Sequence, residues 1–457
     1  MLEPNVAFFV ELPPSVHRAS VLLYRLTDLH YKGVSEMELL KDLEQRGLIN
    51  QVTDEEGLQK HLSEKQVTLY CGFDPTADSL HIGHLLPLMM LKRFQKAGHR
   101  PIALVGGGTG MIGDPSGRST ERQLNTAEVV LGYSESIKNQ MAKVLNFDEG
   151  ENAAVARNNH EWLSEITVID FLRDTGKHFG INYMLAKDSV ESRIENGISF
   201  TEFTYMILQS LDFQKLYEKE NCTLQIGGSD QWGNITAGLE LLRRTAAGER
   251  EVEAYGMTIP LITKADGTKF GKTAGGAVWL DPKKTTPYEF YQFWINADDR
   301  DVIRFLKYFT FLSLEEIAEL EKEVETQPEK RVAQRRLAEE MTVLVHDEKA
   351  LEQAERITEA LFSGDIKSLS GDEIEQGFKD VPAYSSDEKE PQLLQLLVDS
   401  GIASSKRQAR EDISNGAIYI NGERNQDLKH TINEEDRIED RFTIIRRGKK
   451  KYFLVRF

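Results

Sequence analysis

The chain has 457 residues, with 56 Lys or Arg against 74 Asp or Glu, a formal charge of -18 and 40% hydrophobic residues. That length suits about two to four domains with substantial cores and excludes a wholly disordered chain, and no apolar run approaches the ~20 residues of a membrane span. The acidic balance excludes indiscriminate coating of nucleic acid, and two cysteines, Cys71 and Cys222, exclude a disulfide framework or a four-cysteine zinc site, so a reduced, cytoplasmic setting is expected.

Residues 1–36 read as an N-terminal extension. The apolar run Val6 to Val10 is cut short by Glu11 and Pro13-Pro14, so it is no signal-peptide core, and Glu3, Glu11 and Asp28 spoil an acid-poor transit peptide. Lys32-Gly33-Val34 can be encoded by AAA-GGA-GTN, which resembles a bacterial ribosome-binding site, so Met37 is the expected true start. From there Leu39, Leu40, Leu43 and Leu48 give a helical pattern.

Strand–loop–helix units follow. Val67 to Cys71 is expected as a strand, and a helix is expected from near His81 toward Lys96. Pro101 to Val105 and Thr223 to Ile226 are further strands, each ending in glycines. Strands alternating with helices predict a parallel α/β sheet, whose ligands bind beyond the carboxyl ends of the strands. After about Thr285 the pattern is helical through Leu361, and the polar stretch from Gly364 to Pro391 reads as a connector. Ser404 or Ser405 then caps a short basic helix that Gly416 ends. Ala417 to Ile420, an Asn421-Gly422 turn and Lys451 to Phe457 predict small strands. Residues 391–457 hold 13 Lys or Arg against 10 Asp or Glu, a net of +3, while the remainder holds 43 against 64, a net of -21. A basic end on an acidic body predicts local, selective contact with nucleic acid.

Three segments carry chemistry. Asp74-Pro75-Thr76 precedes His81-Ile82-Gly83-His84, where Gly83 lets a ligand approach the backbone and the histidines share one helical face. A helix N-terminus there offers N–H donors and a positive dipole end to phosphate. Lys264 to Thr273 places Lys269 and Lys272 around Gly271, in a loop able to bring ammonium groups onto a polyphosphate. Gly106 to Gly117 contains a dinucleotide fingerprint at Gly108 to Gly113, but Pro115 and Gly117 break the helix that should follow. It reads as a phosphate or substrate loop without nicotinamide. Alone, the first string is more often a pair of helix-start histidines and the second a solvated basic turn.

Together and in this order, the segments resemble a class I aminoacyl-tRNA synthetase. From Met37 to Phe457 the chain closely resembles the bacterial tyrosyl-tRNA synthetases: His81-Ile82-Gly83-His84 matches the first signature and Lys269-Phe270-Gly271-Lys272-Thr273 the variant of the second that this branch uses. The closing unit resembles a ribosomal protein S-four type RNA-binding domain. The resemblance implies an α/β fold with a Rossmann-like parallel-sheet catalytic domain at 37–284, a helical anticodon-side domain at 285–363, a linker at 364–390 and a small α+β RNA-binding domain at 391–457. It implies activation of L-tyrosine by ATP, with Mg²⁺ accompanying the ATP, transfer to the 3′ end of tRNA(Tyr), and a homodimer bridged by one tRNA.

It also implies roles for individual residues. His81 and His84 would donate to ATP phosphates, and Lys269, Lys272 and Thr273 would close over departing pyrophosphate, with Arg118 and Arg122 as further phosphate partners. Tyr70 and Asp212 would bind the substrate phenol, Tyr205, Gln209 and Asp114 its amino group, with Asn159 and Gln231 nearby. Cys71, Gly72, Asp74, Gly83, Gly228 and Asp230 would line the ATP side. Taken singly, Cys71 equally reads as a small buried thiol, Gly228 as a turn residue, Asp230 as a helix cap, and Tyr205 and Gln209 as core beside Phe203, Met206 and Ile207. Lys406, Arg407 and Arg410, with Arg446, Arg447, Lys449, Lys450 and Lys451, would meet tRNA phosphate. Other readings are a tryptophan-specific sister, which Tyr70 with Asp212 opposes, a catalytically silent RNA-binding relative, and a nicotinamide oxidoreductase resting on the glycine fingerprint alone.

Overall fold

The computed structural model describes residues 39–457 except 119, 122–124, 149, 195–196, 247–251, 269, 274–275 and 449–450. The N-terminal extension and the expected start at Met37 therefore lie outside the described residues, as do Arg122, Lys269, Lys449 and Lys450. Two compact units form: one runs to Thr285 and adds Ala297–Thr326, and the other joins Thr286–Asn296 to Gln327–Phe457.

The first unit is built on a six-stranded sheet. Its strands are β1 (Gln51–Val52), β2 (Thr68–Phe73), β3 (Arg100–Val105), β4 (Val155–Asn158), β5 (Cys222–Gly228) and β6 (Tyr255–Ile259), in the order β1-β6-β5-β2-β3-β4. All neighbours are parallel except β1 with β6. Every residue of β3 after Arg100 is buried, as expected for a strand covered on both faces. From β2 the chain proceeds to β3 and β4 on one side, then crosses to β5 and β6 on the other. The reversal leaves a crevice beyond the carboxyl ends of β2 and β5.

The helix expected from His81 begins four residues later, at Leu85, and runs to Lys96. Ile82–His84 is a tighter 3₁₀ turn, because the amides of His81 and Gly83 are bonded by histidine side chains instead of entering a helical ladder. Helices Asp299–Phe309 and Leu314–Thr326 belong to this unit, the first packed on the helix Leu85–Lys96, whereas the sequence grouped them with the later helices. Two buried arginines tie in the segment around them: Arg93 donates to Thr310 O at 2.5 Å, and Arg46 to Leu312 O at 2.8 Å.

The second unit packs helices Pro287–Ile295, Val332–Val345 and Glu348–Ser363 with a five-stranded sheet. That sheet comprises β9 (Ala383–Ser385), β10 (Ile418–Ile420), β11 (Glu423–Asn425), β12 (Phe442–Arg447) and β13 (Lys451–Arg456), in the order β11-β10-β12-β13-β9. The stretch after Gly364, expected as a connector, carries the helix Gly371–Gly377 and the strand β9, which pairs in parallel with β13. Its Ile366, Leu369, Ile374 and Phe378 are buried with Ile357 and Leu361 of the preceding helix and with Phe442, Ile444 and Leu454 of the sheet. Those four apolar residues, sparse among polar ones, suffice to anchor it. Among the described residues no helix is long and apolar enough to cross a membrane.

Candidate active site

The carboxyl end of β2 brings Tyr70, Cys71 and Gly72 to the crevice, with Asp74 just beyond. Tyr205, Gln209 and Asp212 rise from one face of the helix Phe200–Glu220, which Ser199 caps. Asp212 is buried and accepts from Asn159 Nδ2 at 2.9 Å and from Trp162 Nε1 at 2.8 Å. Burial lifts its carboxyl to about 7, against the opposing pull of those two hydrogen bonds. The Tyr70 hydroxyl is buried with no hydrogen-bond partner, and burial together with the Asp212 charge pushes its pKa well up. An unpaired buried hydroxyl is costly and marks a place for a polar ligand atom.

A connected network extends from Asp212. Asn159 Nδ2 also donates to Thr109 Oγ1 at 2.9 Å, Thr109 Oγ1 donates to Asp74 Oδ1 at 2.7 Å, and Tyr205 Oη donates to Asp74 Oδ2 at 2.8 Å. Asp74, placed on the ATP side by resemblance, thus spends its carboxylate on Tyr205 and Thr109. A second cluster joins Gln231 Nε2 to Asp114 Oδ2 at 2.8 Å, and Asn234 Nδ2 to Gln231 Oε1 at 3.1 Å and Gln209 Oε1 at 3.0 Å. Burial, then the neighbouring Asp114 charge, raises the Asp230 carboxyl. Cys71 is buried and its thiol is pushed up to about 12 by burial, so it is a neutral wall and not a nucleophile. Gly72 is exposed, and Gly228 leads into the turn carrying Asp230. Thr109, Trp162 and Asn234 were not singled out from the sequence. Trp162 carries no motif, and only its place in the fold sets its indole N–H on Asp212.

The histidine and lysine segments meet. Val278, just after the lysine hairpin, accepts from Ile82 N at 2.9 Å and donates to Gly271 O at 3.1 Å, and Leu280 N donates to Leu80 O at 2.9 Å. Gly271 has φ +81°, and a Cβ there would lie 2.6 Å from Ile82 Cγ2, so glycine is required on both counts. The strand residues Lys272–Thr273 (β7) pair with Gly276–Ala277 (β8) in a small hairpin. His81 Nδ1 accepts from Gly83 N and His84 Nδ1 accepts from His81 N, each at 3.1 Å. Each neutral imidazole therefore carries its proton on Nε2. The two rings lie against each other at a tilt of 30°, centroids 3.9 Å apart, and a Cβ on Gly83 would sit 2.8 Å from His81 Cε1. Arg118 is exposed beyond the glycine loop. Among the described residues no group of three or more His, Cys, Asp or Glu is placed to hold a metal.

In the other unit, Lys406, Arg407 and Arg410 are exposed on the helix Lys406–Ser414, and Lys451 is exposed at the start of β13. The Arg446 guanidinium carbon sits over the Tyr419 ring, 4.0 Å from its centre, with the Tyr452 ring centre 6.0 Å away. The register places Arg424, Tyr419, Arg446 and Tyr452 side by side across four strands. Arg447 is committed internally: it donates to Ile402 O at 2.8 Å and pairs with Asp412 at 2.9 Å.

Comparison with known proteins matches residues 62–363 to the family described as tRNA synthetases class I (W and Y), and residues 373–455 to the Tyrosine--tRNA ligase SYY-like C-terminal domain. The tyrosine--tRNA ligase of Oceanobacillus iheyensis is 70% identical over 422 residues, covering 92% of this chain and 99% of that one. That of Geobacillus stearothermophilus is 64% identical over 421 residues, covering 92% and 100%. A C-terminally truncated mitochondrial tyrosyl-tRNA synthetase of Aspergillus nidulans superposes with a TM-score of 0.64 at 31% identity, over 74% of this chain and 100% of that structure.

Proposed function

The chain belongs to the class I tRNA synthetases of the tryptophan and tyrosine branch, and from that premise we propose that it is a tyrosine–tRNA ligase working through the crevice described above. It joins L-tyrosine to ATP, releases pyrophosphate, and transfers the tyrosyl group to the 3′ end of tRNA(Tyr). The observation that carries the choice of amino acid is the unpartnered Tyr70 hydroxyl beside the buried Asp212 carboxylate. A substrate phenol satisfies both at once, donating to Asp212 and accepting from Tyr70. An indole N–H only donates, and phenylalanine offers neither group.

The substrate carboxylate is already the nucleophile, so the protein's work is positioning and charge stabilisation. Asn159 and Trp162 hold Asp212 in place. Asp114, Tyr205, Gln209 and Gln231 form the polar wall that takes the α-amino group. As the bond to the α-phosphate forms, negative charge moves onto the departing pyrophosphate. His81 and His84 present Nε2–H donors there, with Lys269, Lys272 and Thr273 supplying further donors. Cys71, Gly72, Gly228 and Asp230 line the nucleoside side. Mg²⁺ arrives with ATP as part of that substrate.

The basic end, with Lys406, Arg407, Arg410, Arg446 and Lys451, contacts tRNA phosphates. The homodimer belongs to this reading, and the exposed apolar side chains of Val168, Ile169, Ile181 and Phe200 are surface that a second copy would cover. A cytoplasmic location belongs to the same reading. The test is ATP–pyrophosphate exchange with each of the twenty amino acids. Exchange with tyrosine alone is expected. Exchange with tryptophan would transfer the chain to the sister specificity, and none at all, with tight RNA binding, would make it a silent relative.

A further inference from the structure

Trp279 takes no part in the reading above, yet it is placed against one of its central groups. It follows the lysine hairpin by two residues and forms an antiparallel bridge with His81. Its indole meets the His81 imidazole at a steep angle of 65°, centroids 6.1 Å apart, within the range where aromatic pairs attract. The His84 ring also lies against His81, and the His81 Nδ1 is taken by Gly83 N. Trp279 is itself strapped down. Lys284 Nζ lies 5.4 Å from the indole centroid and 2.7 Å from Asp78 Oδ1, and Trp279 N donates to Thr285 Oγ1 at 2.9 Å. Asp78 precedes the histidine signature by three residues, so the strap closes from one signature segment onto the other.

We infer that Trp279 is a positioning residue that holds the His81 imidazole at the angle from which Nε2–H reaches the phosphates, and so links the seating of the lysine hairpin to the aim of the histidine pair. The inference rests on the crevice being an ATP site. Its physical content is rotational. A ring contacted by His84 and Trp279 and bonded at Nδ1 is restricted about its last torsion, whereas removing the indole contact loosens that restriction and misaligns the donor.

Trp279→Ala, Trp279→Phe and His81→Asn, singly and combined in the full-length chain, test this in tyrosine-dependent pyrophosphate exchange. Trp279→Ala is expected to lower kcat about 3- to 10-fold with both KM values nearly unchanged, the range that one aromatic pair supports. Trp279→Phe should restore most of it, and Trp279→Ala should cost nothing further once His81 is Asn. Multiplying losses in the double variant, a change confined to the tyrosine KM, or an unchanged kcat would each overturn the inference. A nitrogen NMR readout of the His81 ring separates this from failure of the functional reading. The unaltered chain should show one neutral tautomer protonated at Nε2, and Trp279→Ala a mixture, whether or not exchange occurs. An identical ring signal in both would overturn the positioning role.

Discussion

At the scale of single residues, charge and protonation decide what the crevice can do. Asp212 has its carboxyl lifted to about 7 by burial, so near neutrality both protonation states are populated. A phenol that donates to Asp212 favours the ionised form, so tyrosine affinity should rise with pH, by up to about tenfold between pH 6 and 8, and then level off. A flat dissociation constant across that window would remove Asp212 as acceptor. The same shift acts on stability with a definite sign. The folded chain holds this proton more tightly than the unfolded chain, so the contribution is fully present below the unfolded carboxyl range and fades as pH rises through about 7. Lys272→Ala should lower the activation rate about 10²–10³-fold, as loss of one preorganised donor does, and leave tyrosine binding nearly intact. A normal single-turnover rate would contradict its assigned role.

At the scale of elements, the meeting of two distant segments depends on close backbone approach. Gly271→Ala introduces a Cβ 2.6 Å from Ile82 Cγ2 at a φ of +81°, so the hairpin base must shift away from the histidine turn. The expected result is a lower activation rate, with strain of about 1–3 kcal/mol appearing as a lower unfolding midpoint. Wild-type values for both would show that the segments tolerate separation. The strands were legible because alternating helices and post-strand glycines announce a parallel sheet; β2, β3 and β5 lie within two residues of their expected bounds. The start of the helix at Leu85 was not legible, because histidine side chains, and not sequence periodicity, cap the preceding turn. Asp212 was found by resemblance, but its partner Trp162 was hidden: an indole N–H turned inward looks the same in sequence as one turned into a core.

At the scale of the whole molecule, every described side chain assigned to tyrosine or ATP belongs to the unit with the six-stranded sheet. Deleting residues 391–457 should therefore spare adenylate formation and impair tRNA charging, and equal loss of both activities would assign the tail to support of the fold. Within the basic end the two adjacent arginines should separate. Arg446→Gln is expected to weaken tRNA binding and reduce the salt slope by about 1, as for a lost phosphate contact. Arg447→Gln should act on stability, because its guanidinium serves Asp412 and Ile402 O. Binding titrations at several salt concentrations and urea melts distinguish the two. Sequence alone marked both as one cluster, since a charge run does not reveal which members the fold consumes.

The short helix at Gly371–Gly377 and its adjoining strand change the character of the basic end proposed to hold RNA. A loose cord would let that end wander and would oblige each tRNA to arrest it on arrival, an entropic toll charged to affinity. Here Ile374 and Phe378 are sunk among Ile357, Phe442 and Leu454, so the basic sheet is mounted on the helical layer like a jaw on a fixed post. On the proposed function its grip would be set before any nucleic acid approaches, and loosening the post should slacken the hold on tRNA while leaving the basic side chains themselves unchanged.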